Sequence, residues 1–226
     1  MYKAILFDFG NTLAKSASLA KALDTVLDHE KAFTIGQNIE NEIVTLYKPD
    51  QQEQPEWLEI WARCFRDADL PFDESIGRKH LMEFCRSNTL FPDVEEMLSR
   101  LKDSGYKLGL LSNATGPADI FQKDLEQRGL ARYFNSIVWS CEIGYRKPYH
   151  KAFEAVLDRL GVSPADTLMI GDSEIADIQG ATHLGMDSAL VSSTQNPQTQ
   201  ARFCVAPDQL LKDVLALITL NTNQIT

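Results

Sequence analysis

From Phe91 onward the chain alternates strand-sized apolar runs with amphipathic stretches that stop at glycine, and this rhythm constrains the fold most. Val94 to Lys102 reads as a helix ending at Gly105, and Lys107 to Leu111 as a strand ending on Ser112-Asn113. A helix from Pro117 to Arg128 stops at Gly129, a strand spans Ile137 to Ser140, and a helix from Tyr149 to Leu160 stops at Gly161. Thr167 to Ile170 is a strand ending on Gly171-Asp172, followed by a helix from Ile175 to Leu184 that stops at Gly185. Ser188 to Val191 and Phe203 to Val205 read as further strands before a helix from Pro207 to Ile218. Glycine just past a helix end takes the left-handed conformation that terminates it. Strands alternating with helices predict a parallel, doubly wound α/β sheet.

One strand stands apart from this series. Ala4 to Phe7 is a buried-strand signal closed by Asp8-Phe9-Gly10-Asn11. Between about Ser16 and Ser87 the apolar residues recur at helical spacing, as in Leu19, Leu23 and Val26, or Trp57, Trp61 and Phe65. Pro49, Pro55 and Pro71 mark the stops. This predicts about four helices and no strand, inserted into the α/β core. The expected division is a core of residues 1–15 and 88–226 with a helical unit of residues 16–87.

The 226 residues are enough for one domain carrying an insertion. Lys+Arg 22 against Asp+Glu 32 gives 22 − 32 = −10, which disfavours nucleic acid or an anionic membrane as partner. A small anionic substrate remains compatible, because a local pocket can oppose the global field. Cys64, Cys85, Cys141 and Cys204 lie far apart with no CxxC, as expected of reduced thiols in a cytoplasmic protein. No apolar run is long enough for a transmembrane helix. The N-terminal run is too short for a secretory signal and is interrupted by Asp8.

In an open parallel sheet, ligands bind beyond the carboxyl ends of the strands. There this sequence places Asp8, Ser112-Asn113, Lys147, and Asp172 with Asp177. Together these supply a nucleophile, hydroxyl and amide donors, a cation and a carboxylate pair.

In this order the residues resemble the haloacid dehalogenase-like hydrolase superfamily. Its first motif, hhhhDxDGT[LV], matches Ile5-Leu-Phe-Asp-Phe-Gly-Asn-Thr-Leu13, and its second, an apolar strand ending in Ser or Thr, matches Leu110-Leu-Ser-Asn113. The third matches Gly144-Tyr-Arg-Lys-Pro148, and the fourth matches Gly171-Asp-Ser-Glu-Ile-Ala-Asp177 with Ile178 through Met186. The resemblance implies a Rossmann-like core with an α-helical cap at residues 16–87, and a Mg²⁺-dependent phosphatase of a small phosphorylated metabolite.

Residue chemistry agrees. A carboxylate such as Asp8 can attack phosphorus and form an aspartyl-phosphate. Phosphoryl transfer is catalysed mostly by positioning and electrostatics. Lys147 offers the fixed charge, and Ser112 with the amides near Asn113 offers donors. Asn11 and Thr12 are further candidate substrate contacts. Mg²⁺ prefers carboxylate and carbonyl oxygens, so Asp8, the Gly10 carbonyl and Asp172 are its expected ligands. Ser173 and Asp177 stand behind them, Asp177 holding a metal water or orienting Lys147.

The departure from the family is Gly10, where its phosphatases usually carry Asp as general acid and base. Loss of such a group costs typically about 10²- to 10⁴-fold. This leaves three readings open: phosphatase, a hydrolase of C–halogen or C–P bonds, and a weakly active protein that binds a phosphorylated ligand. Arg146 is expected exposed or ion-paired, Trp57, Trp61 and Phe65 as packing, and His29 or His80 as a possible replacement acid. Nothing in the sequence speaks to oligomeric state.

Overall fold

The side chains of the first strand alternate between two apolar clusters: Ile5 and Phe7 pack into one, Ala4 and Leu6 into the other. A strand buried this way lies inside a sheet covered on both faces. The computed structural model describes residues 1–194 and 196–223. In chain order its strands are β1 (Ala4–Phe7), β2 (Ala14–Lys15), β3 (Thr89–Leu90), β4 (Lys107–Ser112), β5 (Ser136–Trp139), β6 (Thr167–Gly171), β7 (Asp187–Val191) and β8 (Phe203–Val205). Six of them form one parallel sheet in the order β5-β4-β1-β6-β7-β8.

The helices are α1 (Leu19–Val26), α2 (Ala32–Thr45), α3 (Trp57–Asp67), α4 (Glu74–Ser87), α5 (Val94–Asp103), α6 (Ala118–Gln127), α7 (Ser140–Ile143), α8 (His150–Leu160), α9 (Gly180–His183) and α10 (Leu210–Asn223). Val94, Leu101 and Val214, from α5 and α10, cover one face of the sheet, and Phe153, Val156 and Ala181, from α8 and α9, cover the other. This is the α/β arrangement expected of the alternating pattern. Because β1 has β4 on one side and β6 on the other, the chain order reverses direction at β1. Such a switch point opens a crevice at the strands' carboxyl ends.

Four helices, α1 to α4, fill the stretch between β2 and β3. Leu23, Ile39, Trp61, Phe65 and Leu81 form their buried centre, joined by Ile120 from α6. Trp61 meets Trp57 edge-on at 5.4 Å, so the aromatic stripe of α3 is packing. Asp73 caps α4 by accepting from Ser75 N at 2.6 Å and Ile76 N at 3.3 Å.

Two details depart from expectation. β2 and β3 pair antiparallel where the chain leaves and re-enters the core. Residues 174–179, expected as α-helix, form a π-helical turn instead. There the Ser173 carbonyl accepts from both Asp177 N (2.9 Å) and Ile178 N (3.2 Å), which widens the turn. All four cysteines are free, and no helix among the described residues is long and apolar enough to cross a membrane.

Candidate active site

Asp8 leaves the end of β1, Ser112 ends β4, and Asp172 follows β6, so three adjacent strands deliver three polar residues to one crevice. Lys147 arrives from the loop between α7 and α8. Its backbone is clamped by one side chain: Asn113 Oδ1 accepts from Lys147 N and Asn113 Nδ2 donates to Lys147 O, both at 2.9 Å. Asn113 therefore positions the lysine, a role that spacing alone did not disclose.

The ammonium of Lys147 is buried and donates to Asp8 Oδ1 at 2.8 Å and Asp177 Oδ1 at 2.6 Å. Asp177 also accepts from Ser173 N at 3.0 Å, which fixes its second oxygen. A Cβ on Gly171 would overlap the Asp177 carboxyl, so this position requires glycine for the close approach. Ser112 is buried beside the cleft, and its hydroxyl has no hydrogen bond among the described residues.

Charge in this cluster is unbalanced. Carboxylate oxygens of Asp8, Asp172 and Asp177 lie within 4.8 Å of one another, with the single ammonium of Lys147 among them. Burial disfavours the Lys147 charge, but Asp177 and Asp8 outweigh it and hold the pKa above the ordinary lysine value. Burial lifts the Asp177 carboxyl to about 6 against the pull of Lys147. Asp172 is pushed up to about 8, first by burial and then by Asp8 and Asp177. No cationic side chain lies within ion-pair distance of Asp172 among the described residues. Three converging acids with a net deficit of positive charge, all hard oxygen donors, fit a divalent cation.

Asp8, Gly10, Asn11, Ser112, Asn113, Lys147, Asp172, Ser173 and Asp177 all line one cleft of about 440 Å³. Thr12, expected among them, does not; its hydroxyl is buried with no partner. Asn11 adopts a left-handed φ of 52° and its side chain accepts from Ser16 N at 3.2 Å, which closes the loop after β1.

Arg146 is a correction. It is fully buried, donating to Gln54 Oε1 at 2.8 Å and Thr115 Oγ1 at 3.1 Å, with the Tyr47 ring 5.4 Å away. No carboxylate pairs with it among the described residues, and burial lowers its pKa. The helical insertion covers it through Gln54, which no local pattern revealed. His80 is equally committed: Nδ1 accepts from Trp61 Nε1 at 3.0 Å while Nε2 lies 2.7 Å from Leu19 O. Neither His80 nor His29 lines the cleft. Of the lysines in the helical insertion, Lys21, Lys31, Lys48 and Lys79, none lines it. Sequence reasoning missed Ser16, Tyr47, Phe121 and Trp139, which line the cleft from distant elements.

A family model for haloacid dehalogenase-like hydrolases matches residues 2–185. The chain is 30% identical over 206 residues to the glyceraldehyde 3-phosphate phosphatase of Methanothermobacter thermautotrophicus, covering 85% of this chain and 87% of that protein. It superposes on the crystal structure of a phosphatase of the same family from Thermococcus onnurineus with TM-score 0.71 and 25% identity, over 94% of this chain and 97% of that one. The L-2-haloacid dehalogenase of Xanthobacter autotrophicus also gives TM-score 0.71, over 96% and 100% of the two chains, but at 22% identity this is a likeness of fold alone. The chain belongs to the haloacid dehalogenase-like hydrolases.

Proposed function

We propose that this hydrolase is a Mg²⁺-dependent phosphatase of a small phosphorylated metabolite, with residues 1–15 and 88–226 as catalytic core and residues 16–87 as cap. The observation that carries the reading is the convergence of Asp8, Asp172 and Asp177 on one another, with a single buried ammonium paired to Asp8 and Asp177 alone, which leaves negative charge for a divalent cation to balance. The same excess of carboxylate disfavours a haloacid, whose carboxylate would enter unpaired. The similarity to a glyceraldehyde 3-phosphate phosphatase supports the choice.

In this reading one Asp8 carboxylate oxygen attacks phosphorus in line with the departing ester oxygen. Lys147 holds Asp8 in place and offers its charge to the transferring group, and the free Ser112 hydroxyl donates to one of its oxygens. Asp177 and Asn113 act on Lys147, not on substrate. Asp8, the Gly10 carbonyl and Asp172 would hold Mg²⁺, which supplies screening between the carboxylate nucleophile and the phosphate. With no carboxylic acid at position 10, the departing alkoxide takes its proton from water. Water then attacks the aspartyl-phosphate, releasing inorganic phosphate and regenerating Asp8.

Asp8→Asn tests the nucleophile. The change is nearly isosteric, so circular dichroism should stay unchanged while hydrolysis of p-nitrophenyl phosphate with Mg²⁺ falls by about 10³-fold or more. Retained turnover would place the nucleophile elsewhere. Wild-type protein that binds phosphate esters without hydrolysing any would favour the ligand-binding reading.

A further inference from the structure

The cleft is lined by two chemically different sets of side chains. Asp8, Ser112 and Lys147 are polar, whereas Ile43, Val44 and the Tyr47 ring of α2 and its C-terminal end, Phe84 of α4, Phe121 of α6 and Trp139 of β5 make an apolar wall. Val44 and Tyr47 are large apolar side chains left 64% and 39% exposed, a cost in water unless something covers them. Lys147 is the only cation lining the cleft among the described residues, and Asp8 and Asp177 already engage it. The other charged lining residues, Asp172 and Asp124, are both acids, and Asp124 is held by Arg128 at 2.7 Å. Arg146 does not line the cleft, and its guanidinium is buried against Thr115 and the Tyr47 ring.

A phosphate ester bound at Asp8 must lay the rest of its body along this wall. A second anionic group would meet no free cation and four carboxylates, so it would be desolvated without a partner. An uncharged apolar body would bury hydrocarbon on both sides. The volume of about 440 Å³ falls within the range of roughly 300–1,000 Å³ that holds ring-sized ligands.

Resting on the phosphatase reading above, we infer that the substrate is the phosphate monoester of an uncharged, apolar alcohol or phenol of ring size, not of a short carboxylate or a second phosphate. The reaction balances as ester plus water giving the free alcohol and inorganic phosphate. The P–O ester bond breaks, and the alkoxide leaves with a proton from water.

Three esters whose alcohols are all weak acids separate size and charge from leaving-group reactivity: ethyl phosphate, 2-phenylethyl phosphate and phosphoglycolate. With Mg²⁺ present, kcat/KM for 2-phenylethyl phosphate should exceed both others by about tenfold or more. Val44 is exposed near the end of α2, where a lysine is tolerated. Val44→Lys should lower the ratio of 2-phenylethyl phosphate to phosphoglycolate by about tenfold, by wetting the wall and supplying the missing cation. Hydrolysis that favours phosphoglycolate or ethyl phosphate in the wild type overturns the inference and leaves the phosphatase reading standing. So does a ratio that Val44→Lys leaves unchanged. Failure to hydrolyse any of the three, or p-nitrophenyl phosphate, removes the phosphatase reading and this inference with it.

Discussion

A Cβ built on Gly10 lies 2.9 Å from Ser16 Oγ, the movable end of a side chain. Gly10 is not among the glycines with left-handed φ, so its backbone is open to other residues. What stands where a general acid would begin is therefore the hydroxyl of Ser16, which can rotate away. Gly10→Asp should raise kcat/KM for alkyl phosphates by about tenfold, below the full general-acid range because the loop is built around glycine. Pairing it with Ser16→Ala should add to the gain by clearing the space. The measurement is the dependence of kcat/KM on leaving-group pKa, steep in the wild type and shallower in both variants. A flat wild-type dependence would mean that a proton donor already serves the cleft, and neither His29 nor His80 lines it to do so. Position 10 was legible as a departure because the motif around it is continuous in sequence. Its consequence was not, because Ser16 reaches it only after the loop closes through Asn11.

At the scale of elements, α1, α3 and α4 meet at His80. Trp61 Nε1 is a donor only, so His80 Nδ1 accepts, Nε2 carries the proton, and it donates to Leu19 O. Protonating Nδ1 would set two donors face to face in a buried site, and burial lowers the pKa to about 4. The folded protein thus resists a proton that the unfolded chain takes up near pH 6.5. The stabilisation is complete above about pH 6.5 and is lost as pH falls toward 4, amounting to about 3 kcal/mol at most. Urea unfolding at about pH 7 and pH 4.5 should show wild type losing more stability than His80→Leu on acidification. His80→Leu should start less stable, since it leaves Trp61 N–H and Leu19 C=O without their partner. Equal losses in the two proteins would show that His80 titrates normally. The strands of the sheet were legible because each is a buried run that surfaces at a polar residue. The β2–β3 ladder was not, since two residues carry no period and the pairing spans the whole insertion. The burial of Arg146 was hidden for the same reason, because its partner Gln54 comes from a loop of the insertion.

For the whole molecule, an acidic chain of net charge −10 folds three carboxylates from two distant segments, Asp8 and the Asp172–Asp177 stretch, against one another and provides one ammonium. Asp8 and Lys147 are 139 residues apart in sequence, so this arrangement exists only in the folded state. The metal-free native protein carries that repulsion, whereas the unfolded chain does not. A cation bound by the folded site alone should stabilise the protein by mass action, about 2.7 kcal/mol at a hundredfold excess over Kd. For a chain of this size, 1 kcal/mol moves Tm by about 2–4 °C, so saturating Mg²⁺ should raise Tm by about 5–10 °C relative to EDTA. Asp172→Asn separates the two contributions. It removes the carboxylate that has no ammonium contact, so Tm in EDTA should rise above that of wild type while most of the Mg²⁺-dependent rise disappears. Thermal melts of both proteins, with Mg²⁺ and with EDTA, decide it. Wild type that melts at one temperature in both conditions, or Asp172→Asn that keeps the full Mg²⁺ shift, would place the metal elsewhere or remove it from the mechanism. The sign of the EDTA change carries the argument, since an acid that served only to cap the following turn would cost stability when neutralised.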